Sequence, residues 1–354
     1  MKRLLLLVQL LVPTAAFSAG EIVAVAQPDE KVPSDKTVVW TPLFQAAWDD
    51  LHQGFGEPVK VDPPNALMER LDHFKWDAKA VMPRDRWKVW SGEATQQLID
   101  KANAEAARML GEKAGPFKSV SRPGSRIALG LLDRDMVFKK PLHPSVNAPL
   151  AFRASDGSTS EVRFFGTRRK ASAEYGGAVR VLAYQEGSHA LQIAGDGDDC
   201  AVLYLPEKPV GLSEACGKLR EWRTNPLKGE WGSAQDPGLH ETDDVRIPVL
   251  KLENTTDFVP DLQSLRHFKS GPPWRVYQAQ QRLKFQLTEK GAKLRAEVEL
   301  GADPFGEPPK PKMVPRFFHY DRPFFVFLWR DGAEWPYFGA WIGNDISMEV
   351  FKVP

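Results

Sequence analysis

Apolar and polar positions change pattern three times along the chain. Residues 20–37 are mostly polar and carry Pro28 and Pro33, which predicts a mobile leader. A helical period starts near Pro42, with Leu43, Ala46, Ala47, Trp48 and Leu51 on one side and Thr41 as its cap. Leu67, Leu71 and Phe74 predict a short helix over 65–74, and Leu98, Ala102, Ala106 and Met109 predict the longest one over 92–110. Beyond about residue 120, short apolar runs separated by Gly, Pro and Asp predict strands. They fall at 127–138, 150–154, 161–165, 179–184, 190–193, 201–205, 246–253 and 275–300. The last two runs, 317–329 and 335–342, predict a terminal hairpin turning at Asp331-Gly332. Helices first and strands afterwards imply an α+β fold, and residues 38–354 show no linker that would divide them. The aromatic residues crowding the last hairpin are expected in the core, because unbroken apolar runs suit strands buried on both faces.

The first residues change the picture of where the protein works. Met1, Lys2 and Arg3 precede an apolar run from Leu4 to Val12, then Pro13 and small residues including Ala16 and Ser18. This is the pattern of a secretory signal peptide over 1–19, and the apolar run is too short for a stable membrane anchor. The mature protein is expected to be secreted or periplasmic, with no membrane insertion after cleavage. Export permits a disulfide between Cys200 and Cys216, the two cysteines of the chain; two buried free thiols fit the same residues. Forty-seven basic against 46 acidic residues give a net charge of +1, so no global field points to nucleic acid.

No catalytic constellation emerges. The chain lacks a P-loop and the G-x-S-x-G, H-E-x-x-H and G-x-G-x-x-G motifs. No two of the seven histidines stand at a metal-ligand spacing. Asp196-Gly197-Asp198-Asp199 lacks the spacing of a calcium loop and reads as a solvated turn. The expectation is a protein that is not an enzyme and has no metal or cofactor.

Several segments, in order, resemble the serpin family. Residues 318–328 resemble its "F-x-A-D-R/H-P-F-L-F-x-I" strand, and Tyr337-Phe338-Gly339 its closing "L-F-x-G" strand. Residues 287–291 resemble the "V-x-E-x-G" strand end that launches the reactive loop. Residues 245–252, 261–265 and 179–206 resemble three further conserved stretches, and Phe138-Lys139 matches the centre of "F-K-G-x-W". Residues 38–43 are similar to "N-V-F-I-S-P-L-S", with Phe44 where the family's shutter serine follows "S-P-L". The segment 38–120 is too short for the family's full set of N-terminal helices. The resemblance implies a serpin-like fold, N-terminal helices followed by mixed and antiparallel sheets and a C-terminal hairpin. It also implies a monomer whose partner is a serine or cysteine protease.

What the resemblance implies for the loop can be tested against its residues. A loop that inserts into a sheet after cleavage needs apolar or small residues at alternate positions. After Glu289 and Gly291 the chain offers Ala292, Leu294, Ala296, Val298 and Leu300 on one face, and Lys293, Arg295, Glu297 and Glu299 on the other. Glu289, Gly291, Ala292, Leu294 and Ala296 are the expected hinge. Leu294 and Arg295 depart from the small residues of typical inhibitors, and argue for a slow hinge or a permanently paired strand. A proline-rich stretch through residue 315 follows. Counting from Gly291 puts the scissile bond near Phe305 and counting back from Pro323 puts it near Lys312, with Lys310 inside the same region. Two functions follow, a protease-binding or inhibitory protein using loop 291–315, or a binding and structural module that has lost insertion.

Overall fold

A computed structural model describes residues 22–31, 34–53, 60–113, 115–118, 125–167, 172–225, 238–269, 272–291 and 315–352. Two short strands come first, β1 (Ile22–Val25) and β2 (Thr37–Trp40). Next are α1 (Leu43–Gln53), β3 (Lys60–Asp62), α2 (Ala66–His73), α3 (Ala78–Val81), β4 (Trp87–Glu93) and α4 (Gln96–Leu110). The middle of the chain holds β5 (Arg126–Leu132), β6 (His143–Pro144), β7 (Leu150–Arg153), β8 (Thr159–Val162) and β9 (Phe164–Gly166). It continues with β10 (Val179–Gln185), β11 (Ser188–Ala194), β12 (Asp199–Leu205) and α5 (Leu212–Thr224). Then come β13 (Asp244–Pro248), β14 (Leu250–Asp257), β15 (Leu265–His267), β16 (Trp274–Arg275) and β17 (Gln280–Leu287). The last are β18 (Phe317–His319), β19 (Phe324–Arg330) and β20 (Phe338–Ile342).

Local chemistry explains the helix ends. Asn65 accepts from the Met68 amide at 2.9 Å and caps α2. Thr95 does the same for α4 through the Leu98 amide at 3.2 Å, and Gly111, at φ 68°, closes that helix in a left-handed turn. The predicted helix over 92–110 therefore starts four residues late, because Gly92 and Glu93 pair with Ile127 and Arg126 as the end of β4.

The architecture rests on a seven-stranded sheet in the order β1-β2-β20-β19-β12-β11-β10. Every residue of β12, β19 and β20 is buried, so these strands are covered on both faces, as their apolar runs predicted. Helix α5 lies on one face, where Trp222 meets Tyr204 at 5.3 Å between ring centres. The β14–β17 ribbon lies on the other, where Phe285 stacks on Phe338 at 4.4 Å. Burying a phenylalanine such as Phe285 is worth about 1.5–3 kcal/mol. Phe318, Phe324, Phe325, Phe327, Trp329, Tyr337, Phe338 and Trp341 are all core; Phe317 alone of this group is exposed.

Five smaller sheets complete the frame among the described residues, including β16-β15-β3 and the β7–β8 pair. A four-stranded sheet runs β18-β13-β9-β6, with β18 parallel to β13 at its edge. Two separate ribbons, β4–β5 and β14–β17, are antiparallel pairs.

Three expectations need correction. Residues 22–25, assigned to the mobile leader of 20–37, form β1, which pairs in parallel with β2 and buries Ala24 and Val25. The strand over 127–138 stops at Leu132, and the chain continues as an irregular segment. The strand over 246–253 breaks at Val249, whose amide turns to Arg163 O at 2.9 Å as the chain passes from one sheet to another. The signal peptide expected over 1–19 lies outside the described residues. Among the described residues no helix is long and apolar enough to cross a membrane.

Candidate functional site

The site begins where β17 ends. Thr288 and Gly291 exchange backbone hydrogen bonds, the Thr288 amide to Gly291 O at 3.0 Å and the Gly291 amide to Thr288 O at 3.2 Å. Glu289 and Lys290 are the two residues of this tight turn, and the Thr288 hydroxyl adds a bond to Gly291 O at 3.1 Å. Gly291 is buried at φ 111°. A β-carbon there would lie 2.5 Å from Met136 O and 2.7 Å from Phe138 N, so only glycine fits.

Residues 133–142 receive this turn. The Phe138 amide donates to Lys290 O at 3.0 Å and the Leu142 amide to Glu289 O at 2.7 Å. Val137 and Gly291 form an antiparallel bridge, as do Thr288 and Gly291. Gly291 is thus paired on both sides, with the β17 chain on one and the continuation of β5 on the other. Neighbouring strands stand about 4.8 Å apart, so at this end the two ribbons are separated by the width of one strand. At their other end the ribbons meet again, where Ser125 Oγ donates to Tyr277 Oη at 3.0 Å just before β5 and β17 begin. The ribbons therefore run side by side, start to start. Among the described residues β5 pairs only with β4, and β17 only with β14.

The far end of the loop is anchored differently. Arg316, just before β18, sits on Asp243 with Nη2 to Oδ2 at 2.7 Å and Nε to both carboxylate oxygens at 3.2 Å. Its amide donates to Asp243 Oδ1 at 3.2 Å and its Nη2 also to Gly238 O at 2.6 Å. Asp243 is fully buried. Next to it, burial pushes the Asp244 carboxyl up, but hydrogen bonds from His319 and Arg246 outweigh this and hold it below the usual range. His189 lies beside this edge, buried against Phe318 and Tyr320, with neither ring nitrogen hydrogen-bonded. Burial, with Arg322 and His319 adding repulsion, pushes its pKa down to about 3.

Of the residues expected to form the hinge, Glu289 and Gly291 are brought together with the 133–142 segment. Ala292, Leu294 and Ala296 lie outside the described residues, as do the scissile candidates Phe305, Lys310 and Lys312. Cys200, on β12, and Cys216, on α5, are buried free thiols, so the bridge weighed for them is not formed. Burial pushes the Cys200 thiol up to about 12 and raises Cys216 further, and Cys200 Sγ donates to Trp329 O at 3.3 Å. Phe44 packs on Phe258 at 4.8 Å between ring centres. Sequence reading passed over Arg134, Met136, Asp243 and Arg316; their partners lie far away in the chain, and no local spacing marks them.

No family model matches the chain, and no curated protein does. Solved structures do resemble it. Human glycosylated kallistatin is 10% identical with a TM-score of 0.54, covering 88% of this chain and 92% of its own. Human thyroxine-binding globulin complexed with its hormone is 12% identical with a TM-score of 0.53, over 88% and 92%. The thermophilic serpin tengpin in its native state is 11% identical with a TM-score of 0.51, over 89% and 90%. Identities this low speak to the fold.

Proposed function

We propose that this chain, whose fold is serpin-like, is an exported protein that engages a serine or cysteine protease through the loop 291–315. The observation that supports this reading is the double pairing of Gly291. Gly291 itself forms antiparallel bridges with both Thr288 and Val137, and so stands between the chains that continue β17 and β5. The alternating segment that follows has the apolar period a strand in that position requires. Cleavage near Phe305 or Lys312 would free the upstream part to complete a sheet from the two ribbons. The bait would be a substrate-like loop, and the chain itself would perform no turnover. The clasp at Arg316 would hold the downstream part in place. Mixing the mature protein with trypsin and with chymotrypsin tests the reading on denaturing gels. A protease-linked band that survives SDS is the expected result; complete turnover into two free fragments contradicts inhibition.

A second reading draws on different residues. Gly291 is already bridged on both sides, Leu294 and Arg295 replace small hinge residues, and Phe44 packs against Phe258. These favour a strand that is paired permanently, in a binding or structural module without inhibitory action. In that case the same mixture gives a nick and no linked band.

A further inference from the structure

The segment 133–142 is a strap between the large sheet and the hinge turn. On the sheet side, Lys139 N donates to Ala194 O at 2.9 Å and Phe138 forms a bridge with Gly195. On the hinge side, Phe138 and Leu142 donate to Lys290 and Glu289. Met136, fully buried, is held between two glycines. A β-carbon on Gly195 would come within 2.7 Å of its Cγ, and one on Gly291 within 2.5 Å of its carbonyl oxygen.

The start of the strap is fixed by charge. Arg134 Nη2 pairs with Asp196 at 2.9 Å, and its Nε donates to Asp199. Asp199 is buried, and Tyr337 Oη donates to the same carboxylate oxygen, Oδ2, at 3.4 Å. The neighbouring Asp198 takes Arg330 at 3.2 Å, while Arg330 Nη1 donates to the carbonyls of Lys79, Ala80 and Met82. The acidic turn 196–199 is solvated at Asp196 and Gly197, as expected, but runs into the buried Asp199. Its carboxylates are occupied by guanidinium groups, and it ties the strap to β12, β19 and α3.

We propose that Arg134 is a positioning residue for the hinge: its pairing with Asp196 and Asp199 fixes the strap, and the fixed strap holds the 288–291 turn closed on Gly291. The proposal deepens the loop reading and rests on it, since the closed turn controls when the segment after Gly291 can enter or leave the position between β5 and β17. A partly buried arginine paired at two carboxylates, one of them buried, is well suited to this. Its planar fork holds one geometry, and losing it leaves Asp199 as a buried charge with poor compensation. Glutamine at 134 keeps one donor for Asp199 and removes the charge, which limits the damage to the fold.

Amide hydrogen exchange on the full mature chain tests this. In R134Q the amides of Phe138 and Leu142 are expected to exchange at least tenfold faster than in the wild type, while amides inside β12 and β19 keep their rates. D196N removes only the more exposed partner and should give a smaller change in the same direction, and R134K should fall between wild type and R134Q. Unchanged rates at 138 and 142 would overturn the proposal. So would a rise that β12 and β19 share in full, since that is general destabilisation. Should R134Q fail to fold, unchanged rates in D196N would be decisive against it. After cleavage in the loop, R134Q should reach its final stability faster than the wild type. A wild-type protein that gains no stability on cleavage refutes the loop reading, and leaves the exchange result to decide the coupling by itself.

Discussion

Replacing Gly291 with alanine changes one atom at the point where the two ribbons meet. The new β-carbon would stand 2.5 Å from Met136 O, 2.7 Å from Phe138 N and 3.0 Å from Val137 Cα. All three are backbone atoms, so no side chain can swing away, and the strap itself must move. At φ 111° the alanine also takes on backbone strain of about 1–3 kcal/mol. A displaced strap loses the bonds from Phe138 and Leu142 to the turn, each worth about 0.5–1.5 kcal/mol. The expected total is about 2–6 kcal/mol. Gly157 supplies the control, because it has φ 87° and nothing within 4 Å of its would-be β-carbon. G157A should cost only the left-handed penalty, about 1–2 kcal/mol. Urea unfolding followed by tryptophan fluorescence measures both. If G291A costs no more than G157A, the close approach of strap and turn is not what fixes this glycine.

Two further predictions concern the loop's exit edge. R316A breaks a buried ion pair and should cost about 3–5 kcal/mol in urea unfolding, against under about 1 kcal/mol for R163A in the exposed Arg163–Glu349 pair; equal costs would remove the clasp from the account. His189 is depressed to about 3 in the fold, so the unfolded chain binds its proton first as pH falls below 6.5. Its stabilising effect is full above pH 6.5 and is lost progressively down to pH 3, on the order of 4 kcal/mol. H189F makes no bond worse, and should flatten the fall in stability between pH 6.5 and 3 while leaving neutral stability equal or higher; an unchanged slope would refute the assignment.

Much of the frame was legible because its strands carry their own signal. β12 and β19 are unbroken apolar runs because both faces are covered, and Asp331-Gly332 closes the last hairpin with Gly332 at φ 74°. β1 escaped because Ile22–Val25 is short and flanked by polar residues and prolines; its stability comes from pairing with β2 and from burial. The breaks at Leu132 and Val249 escaped for a related reason. Apolar residues flank Val249 on both sides while the chain changes its partners; past Leu132, Met136-Val137-Phe138 resumes the apolar texture after the charged Asp133-Arg134-Asp135, so the run reads as one strand. The hinge turn could be located from residues 287–291, yet its strap could not. Arg134 and Asp199 are 65 positions apart, and Arg316 and Asp243 are 73 apart. Such pairs leave no periodicity in the sequence, and their burial is visible only once the sheets are assembled.

The central claim is that the chain leaving Gly291 belongs between β5 and β17. The most direct measurement is the melting temperature of the mature protein before and after a single cut between Phe305 and Lys312, with the cut placed by mass spectrometry. The account predicts a large rise on cleavage, because the freed segment adds a strand paired on both edges and buries its apolar face. A melting temperature that stays the same or falls would contradict it.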